Sequence, residues 1–169
     1  SKSYRFIGQL ATASRMARTL PDRFWDSKKL EDMSQTEWEA LCDGCAKCCL
    51  IKLEDEDSGE IAYTRLHCKL LDGRTCRCSD YENRKSKVPD CVILTPKSVA
   101  ELKWMPDTCA YRLIHEGKPL YDWHPLISGD PMKVHRDGHS VIGQTVSEED
   151  VFEEAAIDWI FDWSDQTGT

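Results

Sequence analysis

The sequence predicts a small, irregular α+β domain organised by metal, with short helices, a β-hairpin and a C-terminal amphipathic helix. Three observations carry this expectation. Nine cysteines occur in 169 residues, and four of them, Cys42, Cys45, Cys48 and Cys49, fall within eight positions. Two β-capable runs flank the polar turn 54–60. Capping signals recur along the chain, and most of the patterns they open are short.

The elements follow in order. Residues 4–18 carry Phe6, Ile7, Leu10 and Met16 at helical spacing, and Pro21 interrupts the pattern. Ser34-Gln35-Thr36-Glu37 has capping-box spacing, so a helix is expected over 35–42. It turns Trp38 and Leu41 inward and delivers Cys42 to a loop. Leu50–Leu53 and Ile61–Leu66 form the hairpin. The acidic run between them lacks the spacing of a calcium loop and reads as a solvated turn. Residues 67–95 hold four cysteines and few apolar runs, so metal rather than a core should order them. Thr95-Pro96 opens a helix that should end near Trp104. Another is expected over 108–116, with Cys109 in its first turn and Gly117 just past its end. Residues 118–146 read as loop with short strands, such as Ser140–Gly143. Ser147 then caps a helix with Phe152, Ala156, Trp159, Ile160 and Trp163 on one face.

Charge is uneven. The net charge is −8, which argues against a general nucleic-acid surface. Residues 1–20 nevertheless carry Lys2, Arg5, Arg15 and Arg18 and no acid. Such a start reads either as an organellar transit segment or as a basic arm lying on a partner. The expected organisation is therefore an arm over 1–23, a cysteine-cluster domain over 24–146 and a docking helix over 147–169. No apolar run is long enough to span a bilayer.

The cysteines point to metal. Thiolates are soft ligands that select zinc, copper(I) or iron–sulfur centres. Cys-x-x-Cys presents two sulfurs to one centre, and that step occurs twice from Cys42 to Cys48. A disulfide framework is the weaker reading, because the count is odd and no secretory signal opens the chain. The other candidate ligands are Cys68, Cys76, Cys78, Cys91 and Cys109. Asp43-Gly44 permits the tight turn that the loop needs.

The order of several motifs is recognisable. Phe24-Trp25, Glu37-Trp38-Glu39 and Leu41-Cys42-Asp43-Gly44-Cys45 run into Cys48-Cys49-Leu50. Lys52-Leu53, Cys76-Arg77-Cys78, Pro89-Asp90-Cys91, Thr108-Cys109-Ala110-Tyr111-Arg112-Leu113 and Trp123-His124-Pro125-Leu126 follow. Over roughly residues 24–143 the chain resembles the YcgN-type branch of the YkgJ cysteine-cluster family, a zinc- or iron-chelating domain. The resemblance implies metal binding through all nine cysteines. It also excludes a ligand at Ile51, where relatives often have His. Basic additions to a bacterial-type core suggest a mitochondrial matrix protein, with the bacterial cytoplasm as the alternative.

An all-thiolate zinc site takes four cysteines, and so does each common iron–sulfur cluster. Two centres are therefore expected, iron–sulfur rather than zinc. One would use Cys42, Cys45, either Cys48 or Cys49, and a distant residue such as Cys109. The other would use Cys68, Cys76, Cys78 and Cys91. His67 and His124 read as structural rather than ligating, and His115 as a helix C-terminal charge. No catalytic constellation is visible. The leading functional expectation is a structural subunit or assembly factor of a protein or ribonucleoprotein complex, such as a ribosome or respiratory enzyme, with RNA contact through the basic arm. The alternatives are a stand-alone redox or metal-carrier protein and a metal-dependent enzyme. A similar cysteine cluster occurs in flagellin lysine N-methylase, but that likeness covers the cluster alone.

Overall fold

The computed structural model describes residues 4–7, 20–89 and 91–163. The chain runs β1 (Tyr4–Ile7), α1 (Phe24–Ser27), α2 (Gln35–Ala40), β2 (Leu50–Asp55), β3 (Ile61–His67), β4 (Leu71–Asp72) and β5 (Arg77–Cys78). It continues through α3 (Arg84–Lys87), α4 (Pro96–Glu101), α5 (Ala110–His115), α6 (Pro125–Ser128), α7 (Lys133–Arg136) and β6 (Val146–Ser147). A four-stranded sheet of order β1-β2-β3-β6 forms one side, and β4-β5 is a separate two-stranded ladder. The mixture of short helices and a hairpin is the α+β class that the sequence predicts.

The hairpin forms as expected. β2 and β3 pair antiparallel, with Lys52 opposite Tyr63 and Leu53 opposite Ala62. The acidic turn supports itself. The Asp55 carboxylate accepts the Asp57 and Ser58 amides at 2.9 and 3.3 Å. Gly59 takes a left-handed φ of +78°, which glycine adopts at little cost.

β2 is covered on both faces, and its side chains alternate between them. Ile51 and Leu53 pack with Leu66, Ala156 and Trp159. Leu50 packs with Leu71, Cys76, Val141 and Trp163. Lys52 shares that second face by period and points toward the cysteines.

Two of the expectations fail because of partners distant in sequence. Tyr4–Ile7 is a strand rather than the start of a helix, paired antiparallel with β2 from Tyr4 opposite Asp55 to Ile7 opposite Lys52. Tyr, Phe and Ile suit a pleated surface. The open edge of β2 offers them ladder bonds that an isolated helix of this length would not match. Arg5 and Glu54 stand opposite each other and form an ion pair at 3.0 Å. The remainder of the expected helix, from residue 8 on, lies outside the described residues.

The C-terminal segment is not an α-helix either. It forms 3-10 turns over Glu148–Asp150 and Glu153–Trp159. Ser147 caps the first through the Glu149 amide, as the sequence implies. Val151 is extended and separates the two turns. Five acids in seven positions repel one another, and β3 offers better partners than a further helical turn. Ile160 bridges Thr64, the Phe161 amide donates to the Tyr63 carbonyl, and Trp163 Nε1 donates to the Thr64 carbonyl. In a three-residue period Ala156 and Trp159 share the inner face, which leaves Phe152 82% exposed.

The helices fill the other side. α2 carries the full capping box, with Ser34 and Glu37 exchanging bonds at 3.2 and 2.8 Å. α4 starts at the Thr95-Pro96 signal but stops at Glu101, short of Trp104. α5 begins at Ala110, so Cys109 is its N-cap residue rather than part of its first turn. Gly117 takes the expected left-handed position. The core they enclose includes Phe24, Leu41, Val99, Met105, Tyr111 and Leu113. Residues 118–146 contain α6 and α7, and Ser140–Gly143 is not a strand. No helix among the described residues is long and apolar enough to cross a membrane.

Candidate metal centre

α2 ends at Leu41, which is buried, and the chain turns directly into the cysteine run. Gly44 takes φ +82° and Ala46 φ +64°, so the loop reverses twice within three residues. The Asp43 carboxylate accepts the Cys45 amide at 2.9 Å, closing the first reversal. A 3-10 turn over Lys47–Cys49 then feeds β2. Cys48 and Cys49 both pack against the cluster of Leu50, Leu71 and Val141, and Cys48 also reaches the helical core.

None of the nine cysteines is in a disulfide. They fall into two neighbourhoods. Cys42, Cys45, Cys48 and Cys109 form the first. Burial holds the Cys45 thiol well above its usual range, and Cys109 adds to the rise. Cys48 is held up first by donating its S–H to Cys49, then by burial, with Cys45 and Cys42 contributing. Burial pushes Cys109 up to about 12.

Cys49, Cys68, Cys76, Cys78 and Cys91 form the second neighbourhood. Burial pushes Cys68 up to about 12, with Cys49 and Cys91 adding to it. Cys76 also lies at about 12 through burial, opposed by a hydrogen bond from Ser140. Cys78 and Cys91 are raised by burial in the first place, and Cys49 adds to both. Cys76 is fully buried and takes φ +60°, a conformation that is strained for a residue with a Cβ. Such strain gathers at functional sites.

Cys42, Cys45, Cys48 and Cys109 line one cavity, and Cys48 and Cys49 are in contact through a side-chain hydrogen bond, so the two groups meet at that pair. Among the described residues, no three Cys, His, Asp or Glu side chains converge closely enough to hold one ion as they stand.

The histidines take structural places. His124 is buried, its Nε2 lies 2.7 Å from the Leu41 carbonyl and its Nδ1 accepts the Leu126 amide. Those partners assign the N–H to Nε2 and occupy both ring nitrogens. His67 Nδ1 meets the Thr145 hydroxyl at 2.8 Å. His115 is exposed on α5. Ile51 lies on the face of β2 away from the thiols.

Sequence reasoning missed Lys52. Its side chain is 0% exposed, and Nζ donates to the carbonyls of Cys48 and Leu50, each at 2.8 Å. Nζ also sits 4.4 Å from the Trp104 ring centroid and 5.5 Å from that of Tyr63. Burial lowers its pKa to about 8, against the pull of Cys48, Cys49, Cys68 and Cys91. The amine therefore serves both neighbourhoods. A charged residue inside the run Leu-Ile-Lys-Leu was the available signal.

A cavity of about 460 Å³ opens beside Cys42, Cys45, Cys48 and Cys109. Trp38, Tyr81, Tyr111 and Arg84 contribute to its wall.

The raised thiols predict how the metal-free chain responds to pH. Unfolded thiols ionise near pH 8.5, whereas the buried ones keep their protons up to about 12 at Cys68, Cys76 and Cys109. Above pH ~8.5 the unfolded state binds fewer protons, so stability falls as pH rises. Lys52 acts in the opposite sense between about 8 and its unfolded value, but it is one group against several. Urea midpoints of the reduced, metal-free chain should drop from pH 8 to pH 10. A flat or rising profile contradicts this.

Residues 41–110, which include all nine cysteines, match the CxxCxxCC family, described as a "Putative zinc- or iron-chelating domain". The chain is 57% identical over 145 residues to a UPF0260 protein of Sinorhizobium medicae, covering 86% of this chain and 94% of the relative. It is 58% identical over 141 residues to a UPF0260 protein of Rhodopseudomonas palustris, covering 83% of each. It is 59% identical over 127 residues to one of Parvibaculum lavamentivorans, covering 75% of this chain and 83% of the relative. No solved structure matches.

Proposed function

Because the chain belongs to the UPF0260 family and carries a zinc- or iron-chelating segment, we propose that it is a two-centre metal protein. Within that family we place it in the YcgN-type branch of the YkgJ cysteine-cluster proteins. What supports the reading is nine thiols outside any disulfide, four of which, Cys42, Cys45, Cys48 and Cys109, line one cavity while the other five do not. Cys42, Cys45, Cys48 and Cys109 would hold one metal centre. Cys68, Cys76, Cys78 and Cys91 would hold the other, with Cys49 as an additional or exchanging ligand.

The donor set fits a soft metal, and buried thiols at these pKa values need one before they ionise. Each centre would close by thiol rotation. We favour iron–sulfur over zinc because the step from Cys42 to Cys48 resembles a ferredoxin loop. Iron–sulfur would supply one-electron chemistry, and zinc a structural cross-link. The residues around the centres bind, orient and exclude water, and Lys52 places a positive charge between them.

For the biological role we favour a subunit or assembly factor of a larger protein or ribonucleoprotein complex. Phe152, Ile157 and Ile160 are exposed on the C-terminal segment and would form the docking edge. Of the four cations in the expected basic arm over 1–23, Arg5 is engaged by Glu54 in the sheet, and Lys2, Arg15 and Arg18 would be the ones to reach RNA or an acidic protein face. The relatives are bacterial, which favours a bacterial setting, the cytoplasm, over the mitochondrial matrix. A redox, carrier or enzymatic role is the second reading, and the cavity beside the first neighbourhood is what favours it.

Anaerobic purification followed by metal and acid-labile sulfide analysis tests the metal reading. Two centres with iron and sulfide are expected. Two zinc ions without sulfide would overturn the iron assignment, and a chain that binds no soft metal would overturn the reading itself.

A further inference from the structure

The two cysteine neighbourhoods differ in what lies beside them. All four members of the first line the cavity of about 460 Å³, and no member of the second does. We propose that this cavity is a binding site for a compact aromatic carboxylate, seated against the first thiol group. The inference builds on the two-centre reading, since the bound molecule would lie over one metal centre and not the other.

The volume is that of a small-molecule pocket, and the wall is mostly apolar, with Glu31, Glu39, Asp43 and Arg84 as its charged groups. Trp38 and Tyr111 stand with ring centroids 4.7 Å apart and planes tilted by 47°. The Tyr111 hydroxyl donates to the Trp38 carbonyl at 2.7 Å, which fixes the pair. Leu94 and Pro106 complete an apolar body site.

The polar groups on the wall are not equivalent. The Glu39 carboxylate already accepts from the Tyr81 hydroxyl and from Gln35 Nε2. Asp43 accepts the Cys45 amide. Glu31 is exposed. Arg84 differs from all three. Its guanidinium lies 3.8 Å from the Tyr81 ring centroid, and one nitrogen donates to the Tyr81 carbonyl at 2.6 Å. Among the described residues it makes no ion pair. A guanidinium has five donors in a planar fork that suits a carboxylate. The ring contact and the carbonyl bond hold it at the cavity wall with its other donors left for a carboxylate.

The test uses the full chain as isolated, with metal content measured on the same sample. Phenylacetate and its neutral analogue phenylacetamide are titrated separately, and affinity is read from ligand and tryptophan side-chain NMR shifts. Phenylacetate should bind about tenfold more tightly, the effect of one charge-assisted contact, and Arg84→Gln should abolish that preference. In the metal-free chain, phenylacetate should also slow alkylation of Cys42 and Cys48 but not of Cys68, read residue by residue by mass spectrometry. Absence of binding, equal affinity for the two probes, or equal protection of Cys68 would overturn the proposal. If Arg84→Gln misfolds, the two-probe comparison on the unaltered chain decides. The metal analysis scores the two-centre reading separately, because the titration can be run on metal-free chain.

Discussion

Replacing Cys45 with serine should remove one metal centre and leave the second loaded, and replacing Cys78 should do the reverse. The basis is the division of the thiols, with Cys45 beside Cys42, Cys48 and Cys109, and Cys78 beside Cys49 and Cys91. The structural consequences should differ. Cys45 packs with Trp123 and Val134, apart from the helical core of Phe24, Leu41 and Tyr111, so most of the fold should survive its loss. Among the described residues of 68–91 the named elements are the two-residue β4-β5 ladder and the four residues of α3. Losing Cys78 should make that segment sensitive to protease. A structural zinc-type site supplies roughly 10 kcal/mol or more of folding free energy, far more than a ladder that short. Native mass spectrometry counts the metals, and limited proteolysis maps the disorder. The partition is wrong if either single substitution strips both centres.

Lys52→Met should destabilise the metal-loaded chain more than the metal-free one. A charge buried with no exposure is costly unless anions compensate it. Thiolates of Cys48, Cys49, Cys68 and Cys91 would do so once metal ionises them. Removing one partner from a buried charged arrangement costs about 3–5 kcal/mol. In the metal-free chain the thiols are protonated, and the substitution also relieves the desolvation that depresses the lysine. What remains there is the loss of two donors to the Cys48 and Leu50 carbonyls, about 1–3 kcal/mol. Thermal melts with and without metal measure the difference. Equal drops in both states would reduce Lys52 to a local hydrogen-bonding strut.

What could be read from the sequence was what neighbouring residues decide. The Ser34–Glu37 box, the acidic turn at 54–60, the Thr95-Pro96 start and the stop at Gly117 each need only a few adjacent side chains, and all four form. Tyr4–Ile7 was misread because its partner strand begins more than forty residues later. The C-terminal pattern was misread because β3, far upstream, competes for Ile160 and Phe161. At the thiols, the density of the 42–49 run was legible, but that Cys109 lines the same cavity as Cys42, Cys45 and Cys48 depends on the left-handed turns at Gly44 and Ala46, whose joint outcome spacing alone does not fix. The burial of Lys52 was hidden for a similar reason, because Trp104 and Tyr63 reach it from other parts of the chain.

One peptide unit, between Cys48 and Cys49, belongs to both thiol neighbourhoods. Filling either centre fixes its dihedral angles, and ordering one residue's backbone costs about 1–2 kcal/mol. The second metal then meets a segment already ordered, so its affinity rises by up to about thirtyfold, and by linkage the first metal is retained more tightly in turn. Two anionic centres this close would otherwise repel, and the cation at Lys52 reduces that opposing effect. Loading should therefore be cooperative, with half-filled chains scarce at substoichiometric metal. In a cell, such a chain would respond to metal supply as a threshold, passing from empty to full over a narrower range than two separate sites would allow.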